Sequence, residues 1–121
     1  MPETLVHQLK DPAARKALAE ALHALFDEWA LPQEDRTELL AWPGLGPEAP
    51  LPQDAGVLER AGHLLAIGRA LRRAYPYQPH RRGGWVSLPE PALGGASPLQ
   101  LMLAEGLKGI CRVRELIESE Q

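Results

Sequence analysis

The sequence is poor in the residues on which disulfide-bonded, zinc-binding and membrane-spanning proteins depend. Its 121 residues include one cysteine, Cys111, which excludes an internal disulfide and a zinc site built from several thiolates. No apolar run approaches the roughly 18 residues of a membrane-spanning helix, and no charged-then-apolar leader opens the sequence. We therefore expect a cytoplasmic protein with no membrane contact.

Aromatic residues are also few: one Phe, three Trp and two Tyr, against many Leu and Ala. Strands favour aromatic and β-branched residues, whereas Leu and Ala favour helices. No segment alternates apolar with polar residues for long enough to indicate a strand. The sequence therefore predicts a small all-α protein.

Catalytic and metal-binding motifs are absent as well. The four histidines stand at no metal-ligand spacing, and the sequence has no phosphate-binding loop or nucleophile elbow. We interpret His23 and His63 as surface or packed helical residues, and Cys111 as a small apolar residue. No catalytic, cofactor-binding or metal-binding residue is assigned, no cofactor is expected, and we expect that the protein is not an enzyme.

Apolar periodicity and capping signals predict helices along most of the chain. Asp11 followed by Pro12 is typical of a helix start, and Asp54 is a candidate cap for a long third helix. The broad apolar face of that third helix indicates a central helix contacted from two sides, or a dimer surface. The predicted helices cover 12–29, 32–42, 54–75 and 98–104, with a short piece at 85–88, a break at Gly83 and Gly84, and a final helix from 107.

A proline-rich segment divides the chain. Residues 43–53 contain four prolines and two glycines, which exclude a helix interior and indicate a loop or semi-rigid linker. We predict an N-terminal helical region, 1–53, that ends in this linker, and a C-terminal helical domain, 54–121. Residues 1–59 hold eleven acids and four bases (−7), whereas residues 60–121 hold nine bases and five acids (+4).

The second half contains a basic cluster with no acid between residues 69 and 82. One interpretation of this cluster is a solvated helix face without a binding role. The other is a site that binds nucleic-acid phosphates or an acidic protein. The arginines of this cluster are Arg69, Arg72, Arg73, Arg81 and Arg82.

Residues 85–103 contain the most distinctive local pattern. Gly94 and Gly95 permit positive φ at low steric cost, and Ser97 can cap a helix whose first residue is Pro98. We predict a compact, ordered turn between two apolar segments.

This pattern resembles the toxin-binding domain of the Xre/MbcA/ParS antitoxin family over residues 55–118. The family form is Trp-Leu followed by an Asn-Pro-x-Leu-Gly-Gly-x-x-Pro-like turn. Here Trp85-Val86 stands at the first motif, and the turn reads Glu90-Pro91-Ala92-Leu93-Gly94-Gly95-Ala96-Ser97-Pro98-Leu99, with Glu90 in place of Asn.

The resemblance implies an antitoxin of a type II pair that binds and masks a RES-domain toxin, an enzyme acting on NAD, by obstructing its active-site cleft. It also implies a homodimer and a hetero-oligomer with the toxin, and truncation after Glu115 is expected to spare the fold but weaken masking. The toxin-binding residues that it implies by position are Leu93, Gly94, Gly95, Ser97, Pro98, Arg112, Glu115, Glu118, Ser119, Glu120 and Gln121.

The N-terminal half departs from the family. The helix predicted over 12–29 and residues 31–40 resemble the first two helices of a DNA-binding helix-turn-helix. The recognition helix should follow, but the prolines of 43–53 exclude it, and the charge of −7 opposes DNA phosphate. We therefore interpret this half as a degenerate helix-turn-helix. The alternatives are an autorepressor that binds DNA through the basic cluster, and an orphan helical adaptor without a toxin.

Overall fold

The computed structural model describes residues 10–119, and these form an all-α fold without strands, as predicted. Two short 3₁₀ turns, Trp85–Ser87 and Pro91–Leu93, lie between the fourth and fifth helices. The six α-helices of residues 10–119 are α1 Pro12–Glu28, α2 Gln33–Leu40, α3 Ala55–Ala74, α4 Pro79–Gly84, α5 Pro98–Glu105 and α6 Leu107–Ser119.

Side-chain caps set the starts of the longest helices. The Asp11 carboxylate accepts a hydrogen bond from the backbone N–H of Ala13 (2.9 Å), and Asp54 accepts one from Val57 (2.9 Å). Both predicted starts are confirmed. The second helix ends at Leu40, two residues before its predicted end, because the next residue takes a left-handed φ of 53°.

Helix α3 is the central element, as one of the two interpretations of its broad apolar face predicted. It packs against α1, α2, α4 and α6. At its contact with α1, a Cβ on Gly68 would lie 2.7 Å from Cδ1 of Leu25, so the glycine permits a close helix–helix approach. The α3 residues with no exposed surface are Ala61, Leu64, Ile67, Ala70 and Leu71.

The loop 43–53 is non-helical, as predicted, but it is also part of the core. Its residues Leu45 and Leu51 are 4% and 0% exposed. The loop is held to α1 because Arg15 Nη1 donates a hydrogen bond to the carbonyl of Leu51 (3.0 Å), and to α2 because Gln33 Nε2 donates to the carbonyl of Leu45 (2.7 Å). Side chains before, within and after the loop therefore share one core.

The glycines predicted to interrupt the chain after α3 are the last two residues of α4, which ends at Gly84 before the Trp85–Ser87 turn. Gly83 is buried, and a Cβ added there would lie 2.5 Å from the carbonyl oxygen of Glu28. This glycine therefore also permits close contact with the end of α1. No helix in the described part of the chain is long and apolar enough to cross a membrane.

Candidate functional site

The glycine turn is closed by its own backbone. Gly94 and Gly95 have φ values of 70° and 92°, which confirms the prediction of positive φ. The N–H of Gly95 donates to the carbonyl of Glu90 (3.2 Å), and the N–H of Glu90 donates to the carbonyl of Ala96 (3.0 Å). These bonds hold the turn as an ordered surface feature whose two glycines are exposed and whose Leu93 is half-buried.

Ser97 caps α5 as predicted, in a reciprocal arrangement with Gln100. The backbone N–H of Gln100 donates to Ser97 Oγ (3.1 Å), and the backbone N–H of Ser97 donates to Gln100 Oε1 (2.9 Å). Ser97 is only 6% exposed, and Pro98 is buried. Both residues are therefore committed to the start of α5, and the structure leaves them little surface for the toxin contact predicted for them.

The outer face of α6 carries the other predicted contact residues. Arg112, Glu115, Glu118 and Ser119 are exposed on the last three turns of this helix. The Ser119 hydroxyl donates to the carbonyl of Leu116 (2.8 Å). Glu120 and Gln121, the remaining predicted residues, lie outside the described part of the chain.

The apolar face of α6 extends beyond Glu115. Ile117 has no exposed surface, and Leu116 packs against the core. Truncation after Glu115 would remove both side chains and open a cavity beneath α3 and α6. In contrast to the expectation from the sequence, we therefore expect this truncation to destabilise the fold.

A polar cluster joins α3 to α6. Arg114 Nη1 donates a hydrogen bond to His63 Nδ1 (2.9 Å), and His63 Nε2 lies 3.7 Å from Cys111 Sγ and 3.9 Å from a Glu59 carboxylate oxygen. Since Nδ1 accepts from Arg114, a neutral ring carries its proton on Nε2 and presents a donor to the thiol. In this arrangement His63 is not placed to act as a base toward Cys111.

The sequence analysis did not bring these residues together. His63 is separated from Cys111 by 48 residues and from Arg114 by 51, so no local spacing signals the cluster. Among the described residues, no group of three or more His, Cys, Asp or Glu side chains is arranged to hold a metal ion.

Glu118 has a perturbed acidity. Its pKa lies below its ordinary value of 4.5, chiefly because Arg114 donates a hydrogen bond to the carboxylate. Desolvation opposes this effect, while electrostatic interactions with Arg114, Arg73 and His63 reinforce it. The charge of Arg73, a residue of the predicted basic cluster, therefore helps to lower the pKa of a carboxyl group on α6.

The predicted basic cluster divides into separate environments. Arg82 is half-buried, and its guanidinium donates to the Glu28 carboxylate (2.9 Å) and to the carbonyl of Tyr75 (3.2 Å). Arg81 is exposed and stacks over the Tyr75 ring at 5.1 Å from its centroid. Arg82 thus links α4 to the end of α1, whereas Arg81 faces solvent.

Arg69 and Arg72 lie elsewhere, on the rim of a groove of about 320 Å³ between α1 and α3. The floor of this groove is apolar, with Leu25 and Leu65 among its lining residues. The five arginines are therefore not one continuous phosphate-binding surface.

These features define a small all-α protein with a central helix and a glycine turn that leads into the capped start of α5. No family model matches the sequence. The chain is similar to the uncharacterized protein y4oB of Sinorhizobium fredii strain NGR234, with 31% identity over 116 residues, covering 92% of this chain and 89% of that protein. The chain belongs to the same family as y4oB, whose description states no activity.

Proposed function

We propose that this protein is the antitoxin of a type II toxin–antitoxin pair, which binds and masks a RES-domain toxin that consumes NAD. The observation that carries the proposal is the turn itself, in which Gly94 and Gly95 take left-handed φ and Ser97 caps the following helix. This is the conformation that the family-like motif in residues 90–99 leads us to expect. We place the pair in the cytoplasm, as a hetero-oligomer that contains an antitoxin homodimer.

The turn has the properties of a binding surface that is organised before the partner arrives. Its backbone hydrogen bonds fix the exposed Gly94-Gly95 apex, so little conformational entropy is lost on association. The missing side chains at the apex let a partner approach the backbone closely. The exposed Arg112, Glu115 and Glu118 of α6 supply a charged surface, and burial of the toxin's cleft blocks its substrate without any chemistry by the antitoxin.

Co-purification with a RES-domain toxin encoded next to this protein tests the proposal. We expect a stable complex on size exclusion and loss of NAD consumption by the bound toxin. Ala92→Arg places a bulky cation on the exposed turn and should weaken the complex at least about tenfold, the equivalent of 1.4 kcal/mol. Ala17→Arg, the same change on the exposed face of α1, is the matched control and should leave affinity unchanged.

Failure to form any complex with the RES-domain toxin would remove the proposal and favour an orphan adaptor. A DNA-binding autorepressor is not proposed as a second function, because residues 43–54 contain no recognition helix and the basic cluster is divided.

A further inference from the structure

We propose that the connection between α3 and α5 is a second surface that binds the toxin, and that it fits an apolar pocket with an acidic rim on the toxin. We define this connection surface by four residues: Tyr77, His80, Arg81 and Leu88. The inference rests on the proposed function and names the partner chemistry at a place that the antitoxin resemblance does not assign.

Two large apolar side chains are exposed on this connection. Tyr77 is 92% exposed and Leu88 is 60% exposed, whereas the large apolar side chains of the core are below 10%. Pro76 precedes Tyr77 and Pro89 follows Leu88, so the backbone beside each exposed side chain has a restricted φ. Side chains held outward at low entropic cost are suited to act as anchors in a partner's pocket.

The charge around these anchors is positive. The sequence contains no acidic residue from Arg60 to Pro89. Of the acids nearest this connection, Glu28 pairs with Arg82, and the Glu90 carboxylate accepts a hydrogen bond from the backbone N–H of Ala92. Arg81 and His80 are exposed and form no ion pair with an acid of residues 10–119, so an acidic partner surface complements them.

Arg81 is also held in place. Its guanidinium lies 5.1 Å from the centroid of the Tyr75 ring, and its Nη1 donates to Gln78 Oε1 at 3.5 Å. Tyr and Arg are the residue types that most often dominate the energy of protein interfaces. The connection surface thus combines a fixed cation with an exposed aromatic anchor.

The anchors fit within one interface. Helix α4 and the Trp85–Ser87 turn together extend about 15 Å along the chain, by their rise per residue. A standard interface buries about 800 Å² on each partner, which readily spans that distance. The surface also runs directly into the glycine turn, because only Pro89 separates the exposed Leu88 from Glu90, the first residue of the turn.

Nucleic acid fits this surface less well than an acidic protein. Arg82 is neutralised by Glu28, and Arg73 acts on Glu118, which leaves few cations for phosphate contacts. The whole chain carries a net charge of −3, which opposes binding to the phosphate backbone.

The test uses the full chain in complex with the RES-domain toxin. Tyr77→Ala and Arg81→Glu should each weaken the complex at least tenfold, and Tyr77→Phe should retain most of the affinity. The loss caused by Arg81→Glu should shrink as salt is raised, because it removes attraction and adds repulsion. Thermal unfolding of each variant should match the wild type within about 2 °C, since both side chains are exposed.

The outcomes separate this inference from the proposed function. If the toxin binds, Ala92→Arg weakens the complex and both Tyr77→Ala and Arg81→Glu do not, the connection surface is overturned while the antitoxin remains. If wild type forms no complex, both are overturned. A mobility shift of random single-stranded or double-stranded oligonucleotides that Tyr77→Ala abolishes would overturn the acidic protein partner in favour of nucleic acid.

Discussion

Gly94 occupies a backbone conformation that few other residues adopt. Its φ of 70° lies in the left-handed region, and a Cβ added there meets no atom within 4 Å. The barrier to substitution at this position is therefore backbone strain alone, with no steric clash against a neighbour. Gly62, on an exposed turn of α3, also has open space around it but lies in an ordinary helical conformation.

We predict that Gly94→Val lowers the free energy of unfolding by about 1–3 kcal/mol, because a β-branched residue is strained at this φ. Urea unfolding measures the change. Gly62→Ala is the matched control and should raise stability by about 0.5–1 kcal/mol, since it improves helix propensity without strain. Wild-type stability in Gly94→Val would contradict the strained-turn interpretation.

A pH-dependent contribution is predicted for Glu118, whose pKa is lowered chiefly by the hydrogen bond from Arg114. A carboxyl group whose pKa falls on folding stabilises the native state above its unfolded pKa, and this contribution is lost as pH falls through the folded pKa. Glu118→Gln should therefore be less stable than wild type at neutral pH, and this difference should disappear well below pH 4.5.

Urea unfolding across this pH range provides the measurement, and a carboxyl NMR titration would report the lowered pKa directly. Glu48→Gln, which changes an exposed loop carboxyl with no ion pair among residues 10–119, is the control and should match the wild-type stability at neutral pH. A Glu118 titration at or above 4.5 would contradict the prediction.

At the scale of elements, the start of α5 depends on a single reciprocal cap. Ser97 and Gln100 satisfy each other's backbone N–H groups, and Ser97 is almost completely buried. We predict that Ser97→Ala lowers the free energy of unfolding by about 1 kcal/mol, within the 0.5–2 kcal/mol range of helix caps. Thermal or urea unfolding tests this, with Ser87→Ala at an exposed serine as the control, which should change stability by less than about 0.5 kcal/mol.

Helix α4 depends on a contact that spans most of the chain. Arg82 binds Glu28, which lies 54 residues earlier, and Gly83 lies against the carbonyl oxygen of the same residue. The position of the exposed Tyr77 relative to α1 follows from this contact. The connection surface is thus a product of α4 docking and not of the sequence of the connection alone.

At the scale of the whole molecule, the proline-rich loop is part of the packed core. We predict that Leu51→Ala lowers the free energy of unfolding by about 2–5 kcal/mol, because Leu51 has no exposed surface and its truncation leaves a cavity. Far-UV circular dichroism and tryptophan fluorescence should report the same urea midpoint for this variant, as a shared core requires.

Leu88→Ala, the same substitution at a residue that is 60% exposed, is the control and should change stability by less than about 0.5 kcal/mol. If Leu51→Ala proved equally mild, or if the two probes gave separate transitions, the loop would be a spacer between independent units.

The sequence by itself determined the local parts of this protein. The caps at Asp11, Asp54 and Ser97 and the positive φ of Gly94 and Gly95 all follow from residues within about three positions of one another. Apolar periodicity likewise predicted the long helices and the central place of α3.

Only the tertiary structure decided which distant residues meet. In the folded chain Arg82 pairs with Glu28, and His63 contacts Arg114 and Cys111. Leu51 is buried although the sequence indicated that its loop is a linker, and Ile117 lies in the core. These contacts depend on helix packing across the chain, for which composition and local spacing contain no signal. For the same reason the arginines that form one basic cluster in the sequence lie in several different environments in the structure. Among them, the exposed Arg81 near Tyr77 in the sequence supports the proposed second contact.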